Sequence, residues 1–266
     1  MLDEAPISMQ LRRIVRLFKV QIERFFGVTY FNRCYSQIDP HSREYPFAEA
    51  IEAFQLKYNS ISVDKPGIPQ NGAFIIVCNH PHGIWDGVIV GNLLTRIRSD
   101  TKIVAHYLCK GLSGFKNLFI PVDPRVNRKG CELNKNARFL ISEQLASGKP
   151  LVIFPAGQVS RFNLRNFSTT DSAWGSLPIE LATQFNVPII PLFITGRNSW
   201  MYQLATIYRT TFANALLVRE FRLMAGKPGR VVVGTAISPN DLDQFDEPFA
   251  KTRYIREQTY ALSVFS

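Results

Sequence analysis

The sequence predicts an α/β fold: a single domain with a mostly parallel central sheet flanked by helices, preceded by an N-terminal amphipathic helix. Three observations predict it. Short unbroken apolar runs recur along the chain, as strands buried on both faces require. Stretches with apolar residues at helical spacing alternate with them, and no long Pro/Gly/Ser linker interrupts the alternation. Polar, glycine-bearing segments follow the apolar runs directly, where open α/β sheets carry their sites. This divides the chain into residues 1–45, an amphipathic helical segment suited to a membrane surface, and residues 46–266, the α/β domain.

The elements follow in order. In residues 11–28, Leu11, Ile14, Val15, Phe18, Ile22, Phe25 and Phe26 recur at helical spacing, with Arg12, Arg16, Lys19 and Glu23 opposite. Such a helix lies in a membrane interface or packs on its own domain. A helical stretch is expected near 47–58 and a turn at Lys65-Pro66-Gly67. Ala73–Cys78 reads as a buried strand, 86–97 as a helix, and Lys102–Tyr107 as a strand. Leu118–Val122 is a short apolar run between charged stretches. Residues 131–147 read as a helix ended by Gly148. Leu151–Phe154 reads as a strand, Leu177–Phe185 as a helix and Pro188–Ile194 as a strand. Residues 211–225 read as a helix stopped by Gly226, and Val231–Val233 as a strand. Ser238-Pro239 opens the last helical region, Ser as N-cap and Pro at the first helical position.

Composition narrows the function. With 46% apolar residues in 266, the chain is too hydrophobic for disorder and long enough to bury a core. The longest apolar runs, 73–78 and 187–194, fall short of the roughly 18 residues that span a bilayer. The net charge of +10 asks for an anionic partner. It is concentrated in 11–28 and in 96–138, where ten basic residues stand against Asp100, Asp123 and Glu132. Four cysteines without C-x-x-C spacing read as ordinary buried thiols. The N-terminus shows no signal-peptide pattern, so secretion is not expected. Nucleic acid is not an expected partner, because no helix-turn-helix, zinc-finger or RNA-recognition signature accompanies the charge.

Chemistry is expected in the loops after the strands. Asn79 to Gly87 reads N-H-P-H-G-I-W-D-G. Asp86 is close enough in sequence to bond one nitrogen of His80, which would fix the tautomer and stabilise the imidazolium. No Ser or Cys stands in a G-x-S-x-G context, so His80 would act on a bound acceptor. Structural hydrogen bonding is the other reading of the loop. A di-metal reading of His80 and His82 is not favoured, because Asp86 comes four residues after His82 and only His41 and His106 remain. Pro155 to Arg161 reads P-A-G-Q-V-S-R, a Gly-containing turn with Ser160 and Arg161 suited to a phosphate. Arg125 and Arg197 follow two further strands.

These blocks resemble a known family. N-H-P-x-G-x-x-D-G, F-I-P-V-D-P, F-P-A-G-x-V-S-R and V-P-I-I-P-L-F-I-x-G-R-N-S occur in the order seen in the glycerolipid and lysophospholipid acyltransferase superfamily. The sequence is more closely similar to the hemolysin-like branch, which includes lyso-ornithine-lipid acyltransferases. The likeness runs from about residue 25 to about 240. It implies transfer of an acyl chain from acyl-CoA or acyl carrier protein to a lipid hydroxyl at the cytoplasmic face of a membrane, by a peripheral protein. It implies His80 and Asp86 as the catalytic pair, five residues between them as in that branch. Asn79, Gly83, Gly87, Arg125, Gly157, Ser160, Arg161 and Arg197 are the implied substrate-binding residues, with no metal and no cofactor beyond the donor. A backbone N–H near Gly83 or Gly157 is the expected oxyanion donor. Ala156 stands where the superfamily has Glu, Gln158 where the branch has Glu, and Ile84 where the branch has a second Gly. Ala156 and Gln158 keep a second possibility in view, a lipid-binding surface protein with weakened catalysis.

Overall fold

The computed structural model describes residues 18–39, 46–64, 67–123, 127–164 and 167–266. A helix over 18–25 (α1) leads into α2 (Val28–Tyr35) and α3 (Pro46–Ala53). Then come β1 (Lys57–Ser62), β2 (Ile75–Cys78), α4 (Ile84–Thr95), β3 (Lys102–His106), β4 (Phe119–Val122), α5 (Arg128–Ala146) and β5 (Leu151–Ile153). A small hairpin, β6 (Arg161–Asn163) and β7 (Ser168–Thr170), precedes α6 (Leu177–Phe185) and β8 (Ile189–Ile194). The chain ends with α7 (Trp200–Tyr208), α8 (Thr210–Leu223), β9 (Pro228–Val233) and α9 (Pro248–Ala261).

Seven strands form one sheet in the order β1-β9-β8-β2-β5-β3-β4. Every pairing is parallel except β8 with β9, so β9 and β1 run against the other five. The pleat divides the core. Ile76, Cys78, Val152, Ile190, Leu192 and Ile194 face α2, α3 and α4. Ile75, Val77, Leu151, Ile153 and Ile189 face α5, α6 and α9. A sheet covered on both faces explains the unbroken apolar runs.

Several expectations need correction. The helix expected near 47–58 stops at Ala53, where Gln55 turns left-handed (φ 52°), and the chain enters edge strand β1. The sequence K-Y-N-S-I-S hid that strand, because both of its faces are exposed or half-exposed and it needs no apolar run. The boundary at 45 does not separate two units. Cys34 and Ile38 are buried in the main core, and Phe31 packs on Phe54 and Phe221. Ser238 caps only a short 3-10 turn, accepting from the Asp241 N–H, and the last α-helix starts at Pro248. α5 starts earlier than expected, with the Asn127 side chain accepting from the Gly130 N–H. The hairpin and α7 were not anticipated. Residues 11–17 and the 65–66 turn lie outside the described residues. Of the cysteines only Cys34 and Cys78 are buried, and Cys131 is exposed.

One of the ten basic residues of 96–138 is a structural staple. The Arg98 guanidinium grips both oxygens of Asp100 and donates to the carbonyls of Gly72 and Gly148. Its bonds hold the Asp100 carboxyl below the ordinary range. Lys110, Lys116, Arg128, Lys129, Lys135 and Arg138 are exposed.

Helix α4 presses close to α3 through a missing side chain. A Cβ on Gly91 would lie 2.4 Å from the buried Phe47 ring. Gly91→Ala therefore forces Phe47 to move, against a helix-propensity benefit of about 1 kcal/mol. The expected net loss is about 1–3 kcal/mol in urea denaturation, partly recovered by adding Phe47→Leu. A midpoint at or above that of the parent chain would contradict the close packing.

Candidate active site

The site is built where β2, β5 and β8 end side by side. β2 delivers Asn79 and His80, and a turn through Pro81, His82 and Gly83 starts α4. Gly83 adopts φ 80°, ψ −109°, a conformation that L side chains avoid. A Cβ there would also meet Leu217 and Val159 at 3.1 Å. The turn folds Asp86, in the first turn of α4, back over the loop.

The Asp86 Oδ2 atom is the hub. It accepts from the His82 N–H at 2.8 Å, from the Gly83 N–H at 2.9 Å and from His80 Nδ1 at 2.9 Å. Asp86 is completely buried, in the first turn of α4. Because Oδ2 only accepts, His80 Nδ1 carries the hydrogen. Nε2 therefore holds the lone pair, and it makes no hydrogen bond to any described residue. The His80 side chain is 19% exposed, and its ring lies on Phe154, centroids 4.2 Å apart. The structure thus brings together His80 and Asp86, the pair expected from sequence.

Other expected residues turn out to brace the frame. The buried Asn79 carboxamide donates to the Ile194 carbonyl at 2.8 Å and accepts from the Ile194 N–H at 2.7 Å, tying β2 to β8. His82 is buried, and its Nε2 donates to the Thr195 carbonyl at 2.9 Å. Its role is structural. Among the described residues no group of three or more His, Cys, Asp or Glu could hold a metal ion. The Ser160 N–H donates to the His80 carbonyl at 2.8 Å, and its hydroxyl donates to Asp171. Gly157 is left-handed (φ 64°) in the turn after β5. Gly87 lies within α4, with no atom within 4 Å of an added Cβ, and no packing constraint accounts for a glycine there. The N–H groups of Gly83 and Gly157 themselves are committed, the first to Asp86 and the second to the Phe154 carbonyl, so an oxyanion donor near them would be a neighbouring N–H.

The arginines differ. Arg161 opens β6, half-buried, and its charge acts on the buried Tyr202 hydroxyl, which burial pushes up to about 12. Arg197 is exposed, its guanidinium 4.7 Å from the Trp200 ring centre. Neither forms an ion pair among the described residues. Arg125 lies outside the described residues. Gln158 donates to the Ser172 hydroxyl at 2.8 Å, within the loop wall.

Asp171 was missed. Its Oδ1 accepts from the His80 N–H at 3.2 Å and from Ser160, and its Oδ2 from Trp174 Nε1 at 2.9 Å. The Tyr260 hydroxyl meets its N–H and Arg256 its carbonyl. Burial pushes the Asp171 carboxyl up, and the Ser160, Trp174 and His80 donors draw it partly back. Asp171 thus joins the loops after β2 and β5. The available signal was D-S-A-W, a carboxylate three residues before an indole in a loop, which is weak alone.

With this geometry in view, the likeness to known proteins is informative. A family model described as Acyltransferase matches residues 11–264. The lyso-glycine lipid O-acyltransferase of Phocaeicola vulgatus is 25% identical over 202 residues, 73% of this chain and 70% of that protein. The enzyme of the same name from Bacteroides thetaiotaomicron is 27% identical over 217 residues, 78% of this chain and 77% of that protein. The crystal structure of the 1-acyl-sn-glycerophosphate acyltransferase PlsC from Thermotoga maritima superposes with a TM-score of 0.52 at 15% identity, covering 94% of this chain and 97% of that one, a likeness of fold. A match over nearly its whole length makes the chain a member of the acyltransferase family.

Proposed function

We propose that the chain is a thioester-dependent O-acyltransferase acting on a lysolipid hydroxyl, with His80 as general base. The observation that carries this is the threefold use of Asp86 Oδ2, which leaves His80 Nε2 as a partly exposed lone-pair atom. The acceptor hydroxyl gives its proton to Nε2 as its oxygen bonds to the thioester carbonyl carbon. The tetrahedral intermediate collapses, the C–S bond breaks, and the proton passes from Nε2 to the leaving thiolate. Asp86 stabilises the imidazolium between these steps. Asn79, Ser160 and Gly83 serve as positioning residues. Arg161, Arg197 and Arg125 are the cations assigned to an anionic acceptor headgroup. The exposed basic residues of 96–138 are assigned to the phosphates of acyl-CoA or the acidic surface of acyl carrier protein.

The acceptor is a membrane lipid, and the relatives' names make a lyso-glycine lipid the first to try. Among the described residues no helix is long and apolar enough to cross a membrane, consistent with the proposed peripheral location on the cytoplasmic face. The reading of a weakened lipid-binding protein rested on Ala156 and Gln158. The intact His80–Asp86 geometry favours the enzyme.

Incubation with labelled acyl-CoA and a lysolipid panel tests this reading, with acyl carrier protein as the parallel donor. His80→Ala is expected to reduce turnover by roughly 10²–10⁴-fold without loss of fold, the usual contribution of a positioned base. Asp86→Asn should lower kcat as well, because Asn offers Nδ1 an ambiguous partner. Full activity in His80→Ala sinks the assignment.

Asp171 gives a separate test. Asp171→Asn should lower kcat by up to roughly 10²-fold through misplacement of His80, with little change in KM. A variant that melts earlier yet keeps the parent kcat would make Asp171 a purely structural residue.

A further inference from the structure

Helix α7 carries no charged residue. Its inner face, Tyr202, Gln203 and Ala205, is buried. Its outer face shows Trp200, Leu204, Ile207 and Tyr208, between 49% and 87% exposed. Spacing of 4, 3 and 1 residues puts these four on one stripe. An uncharged helix with a large apolar outer stripe belongs in a core or against lipid, and this one has an uncovered side.

Neighbouring elements extend that side. Phe162 of β6 packs 5.4 Å from Trp200, and at the hairpin tip Phe167 is 79% exposed. On α8, Phe212 is 46% exposed and sits 6.4 Å from Phe26, which follows α1 and the exposed Phe25.

On α7 and its flanking segments the exposed charges are arginines. From Arg197 to Arg219 the chain holds three arginines and no Asp or Glu, and 161–170 likewise holds no acidic residue. Arg197 lies over Trp200, and Arg209 is exposed at the end of α7. Arg219 lies 5.8 Å from the Phe25 ring centre while paired with the buried Glu220. Aromatic and aliphatic side chains rimmed by arginines match a bilayer interface with anionic headgroups. The surface also adjoins the site, since α7 starts five residues beyond Thr195, which holds His82, and β6 starts beside Ser160.

We propose that α7, with Phe167 and Phe212, is the surface that docks the protein on an anionic lipid bilayer. This deepens the acyltransferase reading, which supplies the reason for a lipid partner, but its measurement needs no turnover. The full chain and the variant Leu204→Gln/Ile207→Gln/Tyr208→Gln would be sedimented with phosphatidylcholine vesicles, with and without phosphatidylglycerol. The parent chain should bind the phosphatidylglycerol vesicles, more weakly at high salt. The variant, unchanged in circular dichroism and melting temperature, should partition at least about tenfold less. Its transfer to a short-chain, water-soluble lysolipid should match that of the parent. If neither protein transfers acyl chains, the enzyme reading fails and the vesicle comparison still decides this proposal. Partitioning of the variant within about twofold of the parent overturns the proposal. So does a parent chain that ignores vesicles and forms dimers which the variant does not, because a second copy would then be what covers α7.

Discussion

The structure around the site depends on a single carboxylate oxygen. Asp86 Oδ2 sits fully buried at the start of α4 and accepts three hydrogens. A buried carboxylate without partners is costly enough to neutralise or to unfold its surroundings. Two backbone amides at the start of α4 supply it with partners. The third donor, the imidazole, is then held in one tautomer with no freedom to rotate. The same oxygen dictates the turn, because only the left-handed backbone at Gly83 brings both amides to bear on it. Its companion Oδ1 has no partner among the described residues.

Around that hub, lateral bonds fasten the strand ends together. Asn79 links β2 to β8, His82 links the loop to Thr195, and Asp171 with Ser160 links the loops after β2 and β5. Buried polar groups satisfied in this way give the loops a defined geometry where strand ladders have ended. His80 is therefore supported on both its backbone N–H and its backbone carbonyl. Motion of either neighbouring loop would be felt at the imidazole.

Much of this was legible in the sequence for physical reasons. The buried strands had to be apolar on both faces, so β2, β5 and β8 announced themselves. His80 and Asp86 bond within one local turn, so their spacing carried the geometry. What escaped has a common cause. β1 is an edge strand that needs no apolar signature, and α7 is apolar on both faces, so no helical periodicity marked it. Asp171 acts on residues far away in the chain, and local pattern has no access to that. The partners of Asn79 and Ser160 escaped for the same reason, since Ile194 and Asp171 are nonlocal.

That division between local and distant bonds has a consequence for how the molecule comes into being. The His80–Asp86 bond closes a loop of only six residues. The bonds that fasten it span 91 residues to Asp171, 113 to Thr195 and 115 to Ile194. Contacts of such separation form late, because chain closure must precede their stabilisation. A growing chain can thus assemble the histidine–aspartate turn early, yet its rigid frame waits until β8 has been synthesised and inserted between β2 and β9. The rigid geometry around His80 is then among the last features of the fold to form during biosynthesis.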